Sequence, residues 1–149
     1  MPYLRIWIHL VFATRNREPL LPAAIRPLVW KHIQDNARQK GIFLDCVNGH
    51  ADHVHVLVSL GTDQTIAELV QLIKGECSFW INKQKLINGK FSWQEEYFAV
   101  SVSESVVDRV RTYIQNQEEH HRRKSFTEEV QDFMDKYGFR LMEKEGKLG

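Results

Sequence analysis

The sequence predicts an α+β protein with a ferredoxin-like (RRM-like) four-stranded antiparallel sheet, two helices on one face, and further helices at the C-terminal end. Segments of two-residue and helical periodicity follow one another in the order strand, helix, strand, strand, helix, strand. Because crossover connections are right-handed, that order closes into one antiparallel sheet with both helices on the same side. The other sheet face is then expected to be open for function.

The first strand and helix are predicted from a change of periodicity. Residues 3–14 alternate between an apolar face and a mixed face that includes His9. A helical stripe of apolar residues follows Pro22 and stops at Gly41. Pro27 lies inside this stripe, so the helix either begins after Pro22 or bends there.

A hairpin and a long helix come next. Two short apolar runs, 42–47 and 53–60, are separated by a polar, glycine-containing segment, which is typical of a β-hairpin. Thr65 and Glu68 then have the spacing of a capping box, and apolar residues recur at helical intervals as far as Ile81. This pattern predicts a long helix.

The last elements are less regular. Trp93 is expected to open a linker before a strand over 97–103. Ser105 and Asp108 are expected to cap the helix that follows, and a final helical segment runs from about 125 to 137.

Length and composition favour one folded domain over residues 1–149, with a loose tail at about 139–149. The chain has 149 residues, of which 43% are hydrophobic and 26% charged, values that exclude disordered and fibrous classes. The apolar runs are shorter than the roughly 18 residues of a membrane span, and the first lacks the flanks of a signal peptide. A cytoplasmic protein is expected, with Cys46 and Cys77 as packing residues.

The sharpest chemical feature is the pair of histidines His53 and His55, separated by Val54. Because side chains alternate along a strand, both imidazoles point to one sheet face, with Cα atoms roughly 7 Å apart. They can converge there on one metal ion, although two histidines on an exposed strand also occur without a role. Asp52 and His50 are either partners of such ligands or turn residues.

Tyr113 and Gln117 form a second feature, far along the chain. They are four residues apart in a predicted helix and therefore share a face. The same face carries Val106 and Val110, so Tyr113 alone would be interpreted as a core tyrosine. That interpretation explains Gln117 poorly, because it places an amide on an apolar stripe.

At these residues the sequence resembles the single-tyrosine HUH transposases of insertion sequences, the IS-two-hundred-like group. The resemblance runs from Ile8 to about Gly138. It rests on these segments: Asp52-His53-Val54-His55-Val56-Leu57-Val58, Ile73-Lys74-Gly75, Trp80-Ile81-Asn82, Ser101-Val102-Ser103, and Tyr113-Ile114 with Gln117 and His120-His121. One departure is Ala51, where relatives often carry proline, and it affects the turn alone.

The resemblance implies an enzyme that cuts and rejoins single-stranded DNA at hairpin-flanked element ends through a 5′-phosphotyrosine. It also implies a divalent metal, Mg²⁺ or Mn²⁺, and a homodimer with shared active sites. Carried over by position, the nucleophile is Tyr113, the metal ligands are His53, His55 and Gln117, and the residues that support them are Asp52, His120 and His121.

This chemistry suits those residue types. A phenol with a pKa of about 10 leaves more readily than a sugar hydroxyl, so an incoming 3′-OH can reverse the attack on phosphorus. The metal would neutralise charge on the scissile phosphate. Imidazole ligands without a protein carboxylate favour manganese intrinsically, although magnesium is more available in cells.

DNA contacts are expected from basic and aromatic side chains. The formal net charge is only +1, but basic residues are concentrated locally, which allows a basic face. Stacking on unpaired bases is expected from exposed aromatics, for which Trp7, Trp93 and Tyr97 are candidates. The basic candidates are Arg15, Arg17, Lys83, Lys85, Arg109, Arg111, Arg122, Arg123 and Lys124.

Two other functions remain open at the sequence level. One is a domesticated, catalytically silent protein that keeps the fold and binds hairpins. The other is a zinc hydrolase or structural zinc site at the histidines. The sequence argues against zinc because it shows no cysteine pair or carboxylate at ligand spacing. Metal preference would distinguish a zinc site from the site of a transposase.

Overall fold

A four-stranded antiparallel sheet in the order β2-β3-β1-β4 carries the fold. The computed structural model describes residues 2–137, so the predicted tail at 139–149 lies outside the described residues. The strands are β1 (Trp7–Thr14), β2 (Phe43–Gly49), β3 (His53–Ser59) and β4 (Trp93–Val102). The helices are α1 (Arg26–Gln39), α2 (Ile66–Gln84), α3 (Val107–Gln115), α4 (Gln117–His121) and α5 (Phe126–Tyr137). The predicted ferredoxin-like order is confirmed.

The chain divides into two compact units, Met1–Glu118 and Glu119–Gly149. The first contains the whole sheet with α1, α2 and α3. The second contains α5, which begins after Ser125; the Ser125 hydroxyl accepts a hydrogen bond from the Glu128 backbone N–H at 3.2 Å, as an N-cap does. Within residues 2–137, no helix is both long and apolar enough to cross a membrane.

One face of the sheet packs against α1 and α2. Alternate residues of β1 and β3 point to this face, and Leu10 and Val54 are fully buried there. The helices contribute the stripes that the sequence predicts, including Val29 and Ile73. Cys77, which is also in this core, is a free thiol, and burial raises its pKa. The expectation that it is a packing residue is confirmed.

The other face of the sheet is covered by α3, so the expectation of an open face is wrong. Val107 and Ile114 on α3 pack against Trp7, Cys46 and Leu57 of the strands. The helix covers the sheet because its apolar stripe needs an apolar partner, and the first face is already occupied by α1 and α2. Function on this face must therefore operate in a buried layer.

A β-bulge in β2 shapes that layer. Leu44 pairs with Val58 and Cys46 with Leu57, so Asp45 is an extra residue in the ladder. A bulge exchanges the faces of the residues that follow it. Cys46 consequently faces α3; its thiol is free, and burial raises its pKa to about 12.

The predicted start and cap of the two long helices hold in the structure. Helix α1 begins at Arg26 with Pro27 in its first turn, so the helix begins after Pro22 and does not bend. The Thr65 hydroxyl accepts a hydrogen bond from the Glu68 backbone N–H at 3.1 Å, which confirms the cap of α2.

The region around β4 and α3 departs from the prediction. Trp93 is the first residue of β4 and not a linker residue, because it pairs with Thr14 beyond a register shift. The predicted Ser105 and Asp108 cap is wrong: Val106 occupies the N-cap position of α3 without a side-chain hydrogen bond, after a short 3₁₀ turn.

Candidate active site

His53 lies at the start of β3 and is fully buried. Its Nδ1 is 2.8 Å from an Asp52 carboxylate oxygen, and its Nε2 is 3.1 Å from the Gln117 amide oxygen. Since a carboxylate accepts hydrogen bonds, the neutral ring carries its proton on Nδ1 and presents Nε2 as a lone pair. Asp52 therefore contacts a predicted ligand.

The tight hairpin before His53 holds this arrangement. A Cβ added at Gly49 would lie 2.2 Å from the His53 carbonyl oxygen, so only glycine fits at this position. The His50 backbone N–H donates to the same carbonyl at 3.0 Å. Backbone packing at the hairpin thus fixes where β3 begins, and with it the direction of the His53 ring.

The donor atoms around His53 fit a divalent cation. The Gln117 amide nitrogen donates to the Tyr113 carbonyl at 3.3 Å, which directs the amide oxygen toward His53. Two lone pairs then face each other at 3.1 Å and repel unless a cation or proton lies between them. An imidazole nitrogen and an amide oxygen are donor types that would hold such a cation.

His55 is the second histidine of the pair and is also fully buried. Its Nδ1 is 2.9 Å from His9 Nε2, so the nitrogen of His55 that could serve as a metal ligand is its own Nε2. One ring nitrogen of His55 lies within 4.8 Å of one ring nitrogen of His53. The prediction that the two histidines share a sheet face is confirmed, and each has an Nδ1 partner.

Tyr113 lies on α3 against these histidines in the same chain. Its ring meets the His55 ring edge to face, with centroids 5.6 Å apart, and the His9 ring at 6.2 Å. The side chain is half-buried. The structure therefore brings Tyr113, His53, His55 and Gln117 together within one chain.

An ion pair ties the tyrosine helix to the sheet. The Arg111 guanidinium donates two hydrogen bonds, of 2.8 and 2.9 Å, to the two carboxylate oxygens of Asp45 at the β-bulge. Its third bond goes to Asp108 at 2.7 Å, and these carboxylates raise the pKa of Arg111. Asn48 adds a hydrogen bond to the Gln115 carbonyl at 3.0 Å.

The helix that carries Tyr113 ends before Gln117. Helix α3 stops at Gln115 and α4 starts at Gln117, so the two predicted site residues lie on consecutive helices rather than on one. Gln117 still reaches back to the Tyr113 carbonyl, as an i,i+4 pair does. The break at Asn116 therefore leaves the expected proximity intact.

The second unit contains a separate group of potential ligands. His120 Nε2 is 3.1 Å from one carboxylate oxygen of Glu129, and His121 Nε2 is 3.5 Å from the other. These side chains form a group that could hold a metal ion. Glu129 was not among the ligands predicted from the sequence, where the absence of such a carboxylate at ligand spacing counted against zinc.

Comparison with known proteins decides the family. A family model described as IS200-like transposase matches residues 3–117. The chain belongs to this family. It is 27% identical over 115 residues to the ISDra2 transposase TnpA of Deinococcus radiodurans, covering 73% of this chain and 81% of that protein. The resemblance identified from the motifs is confirmed, and the chain is a transposase, which is a DNA-recombining enzyme.

Two solved structures share the fold of this transposase. A crystal structure of a candidate transposase from Deinococcus radiodurans has a TM-score of 0.62 at 24% identity, and covers 78% of this chain and 95% of that chain. A REP-associated tyrosine transposase bound to a REP hairpin has a TM-score of 0.54 at 13% identity, and covers 78% and 68%.

The basic candidates of the transposase divide into two groups. Arg111 pairs with Asp45, Arg122 with Glu119 at 2.8 Å, Arg123 with Glu119 at 3.9 Å, and Lys124 with Asp132. The remaining candidates form the second group, which is described by exposure. Those with exposed side chains are Arg15, Lys83, Lys85 and Arg109, and Arg17 is half-buried.

The aromatic candidates separate by burial. Trp7 is 5% exposed, and its indole N–H donates to Glu104, so the expectation that it is exposed is wrong. Trp93 is half-buried; its indole donates to the Lys74 carbonyl at 3.1 Å. Tyr97 is 39% exposed and is the one of the three with an accessible ring.

Sequence reasoning missed His9 as a site residue. His9 is two residues from Val11 on the mixed face of β1, and the pairing of Val11 with His55 brings it to the site. Without the strand pairing, the sequence does not show which residue lies beside His9 on the mixed face of β1.

Proposed function

We propose that this transposase cuts and rejoins single-stranded DNA at hairpin-flanked ends through a covalent bond to Tyr113, assisted by a divalent metal. The observation that carries the proposal is the edge-to-face contact of the Tyr113 ring with His55, at 5.6 Å, beside the buried pair of His53 and Gln117. A core tyrosine would not need buried imidazoles as neighbours, because buried polar groups are unfavourable unless they are paired.

Tyr113 is the proposed nucleophile. The phenolic oxygen forms a bond to the scissile phosphorus, the bond from phosphorus to the 3′ oxygen breaks, and the phenolic proton ends on that oxygen as a free 3′-OH. The product is a 5′-phosphotyrosine. Because a phenol with a pKa of about 10 is a good leaving group, a second 3′-OH can displace it and rejoin the strands without ATP.

His53, His55 and Gln117 are the residues that would hold the metal. When bound, Mg²⁺ or Mn²⁺ neutralises charge on the scissile phosphate. Asp52 keeps the His53 proton on Nδ1, and the Tyr113 carbonyl keeps the Gln117 amide oxygen turned toward His53. The chain's own contribution is therefore a preorganised set of lone pairs beside the nucleophile.

Single-stranded hairpin DNA is the proposed substrate. A structural neighbour of the same fold is bound to a REP hairpin. In this chain, exposed basic side chains at Arg15, Lys83, Lys85 and Arg109 supply charge for phosphates. The Tyr97 ring on β4 is available to stack on an unpaired base.

Tyr113 is proposed to act on the histidine site of its own chain. The ring contacts to His55 and His9, together with the Arg111 and Asp45 pair that holds α3, support this. A homodimer with shared sites, as the resemblance implies, remains a prediction. In a mixture of Tyr113→Phe and His53→Ala chains, own-chain action predicts no cleavage, whereas recovered cleavage would demonstrate shared sites.

Capture of the covalent product tests the proposed function. The protein is incubated with a pool of single-stranded hairpin DNAs and Mn²⁺, and denaturing gels with peptide mass spectrometry locate the attached strand. We expect a metal-dependent adduct on Tyr113 that Tyr113→Phe abolishes and that the control Tyr97→Phe retains. Tight hairpin binding without an adduct would instead support the catalytically silent hairpin-binding protein.

A further inference from the structure

We propose that His9 is a positioning residue that holds His55 in the tautomer and orientation needed for a metal ligand. The inference concerns a residue outside the set of site residues that the resemblance implies. It rests on the proposed function in one respect, namely that His55 binds a metal. The contact between the two rings is a separate structural observation.

The contact is short and buried. His9 Nε2 lies 2.9 Å from His55 Nδ1, within the range of a normal hydrogen bond. His9 is 6% exposed and His55 is fully buried. The ring centroids are 5.1 Å apart and the planes are tilted by 31°.

Strand pairing fixes this contact. In the antiparallel register of β1 and β3, His9 is opposite Leu57 and Val11 is opposite His55. His9 and His55 are therefore diagonal neighbours on the α3 face, at a separation that long side chains bridge. Both residues lie on paired strands rather than in a loop, so the sheet register sets the position of each backbone.

The contact determines which nitrogen of His55 is available. A neutral imidazole has one N–H donor and one lone pair. If Nδ1 of His55 donates to His9 Nε2, the proton of His55 is fixed on Nδ1, and Nε2 is left as a lone pair for a metal. The tautomer of a histidine ligand is set in this way by the partner of its other nitrogen.

The two histidines of the site thus have equivalent supports of different chemistry. Asp52 accepts from His53 Nδ1 at 2.8 Å, and His9 Nε2 lies 2.9 Å from His55 Nδ1, at a distance where it can accept from it. Loss of either acceptor would allow the proton to move to the nitrogen that faces the site. A ring with its proton on that nitrogen cannot bind a metal there.

His9 also touches Tyr113, so cleavage alone cannot test its role. The two rings meet edge to face with centroids 6.2 Å apart, and any smaller residue at position 9 would loosen the nucleophile as well. A test must therefore measure metal affinity and the protonated nitrogen of His55 directly.

The experiment compares His9→Leu, which keeps bulk but removes both nitrogens, with His9→Gln, whose amide oxygen can accept from His55. Leu57→Val is the packing control, because Leu57 lies opposite His9 in the register. Mn²⁺ titrations of the full chain are performed for each variant with His53 present and with His53→Ala. The binding that is lost with His53→Ala is the His53-dependent Mn²⁺ binding. Nitrogen-resolved NMR of the metal-free protein identifies the protonated nitrogen of His55.

We expect His9→Leu to weaken the His53-dependent Mn²⁺ affinity by about 10- to 100-fold, with His9→Gln close to the parent protein and Leu57→Val unchanged. NMR should show the His55 proton on Nδ1 in the parent and in His9→Gln. Unchanged affinity in His9→Leu, or equal losses in His9→Leu and Leu57→Val, would overturn the proposal.

The NMR measurement separates this proposal from the proposed function. A His55 proton on Nε2 in the unmodified protein would refute the role of His9, even if metal binding and adduct formation were intact. Conversely, Mn²⁺ binding that His53→Ala does not weaken would refute the metal site itself, whatever the tautomer. If His9→Leu fails to fold, the tautomer in the parent and the affinity of His9→Gln decide the matter.

Discussion

On the sheet face that α1 and α2 cover, β1 and β3 bury mainly aliphatic and aromatic side chains, whereas on the face that α3 covers the same strands bury three imidazoles. Val54, between the two site histidines, belongs to the first face, and His53 and His55 belong to the second. Residues of the apolar core and residues of the candidate site therefore alternate along β3.

The comparison shows how a buried polar layer is tolerated. A buried polar group destabilises a fold unless it is hydrogen-bonded, and the imidazoles meet this condition through Asp52, Gln117 and His9. The apolar face has no such requirement and supplies the burial that drives folding. Substitutions on the two faces should consequently act on different measurable properties.

The largest contrast is expected between His53→Ala and Val54→Ala, which are adjacent in the chain. His53→Ala should lower adduct formation by at least about a thousandfold, because it removes a ligand of the metal that stabilises charge on the phosphate. Val54→Ala should lower the free energy of unfolding while the folded fraction keeps its rate of adduct formation. Gel assays and urea denaturation measure both. Similar adduct rates in the two variants would refute the division of the faces.

The next largest effect is expected for Leu10→Ala on the apolar face. Leu10 is fully buried, so truncation leaves a cavity and should lower the free energy of unfolding by about 2–5 kcal/mol. Mn²⁺ affinity should remain that of the parent below the unfolding transition. A weakened affinity in the folded protein would mean that the two faces are mechanically coupled.

A smaller effect is expected at the ion pair of Asp45 and Arg111, which holds α3 against the sheet. Asp45→Asn removes the charge that holds Arg111, so α3 should loosen and adduct formation should fall by about tenfold through misplacement of Tyr113. Hairpin affinity distinguishes positioning from DNA contact by Arg111. An unchanged adduct rate with tighter hairpin binding would show that Arg111 contacts DNA phosphate and does not position α3. Lys31→Met, which breaks an exposed ion pair with Asp35 on α1, is the matched control.

The smallest effect is expected at the cap of α2, on the apolar side. Thr65→Ala removes the hydroxyl that accepts from the Glu68 N–H and should lower the free energy of unfolding by about 1 kcal/mol. Adduct formation should be unchanged at temperatures well below unfolding. Thr65→Ser, which retains the hydroxyl, should recover the stability; failure to do so would assign the loss to the methyl group instead.

The apolar face was predictable because alternation and helical periodicity are local patterns. Residues 3–14 and the stripe after Thr65 predict their elements and their inward faces without knowledge of partners. The shared face of His53 and His55 is predictable for the same reason. The shared helix face of Tyr113 and Gln117 was predictable from their spacing, and the resemblance added the roles proposed for them, which spacing alone could not give.

The rest of the polar face depends on pairing between distant segments. The bulge at Asp45 has no local signature, yet it turns Cys46 toward α3. His9 becomes meaningful only when β1 is set in register against β3. The stripe of α3 was visible, but which surface it covers follows from the first face being occupied, a property of the whole fold.

The position of β1 between β3 and β4 has a consequence for sequence change in this family. A substitution on the apolar face of β1 is expected to alter stability, and one on the polar face is expected to alter the candidate site. Deletion of a single residue of β1 after His9, with the pairing of the following residues kept, would move His9 to the position of Leu10 in the apolar layer and Ile8 to the position that faces His55. The faces of the β1 side chains therefore depend on the length of the strand as well as on its residues.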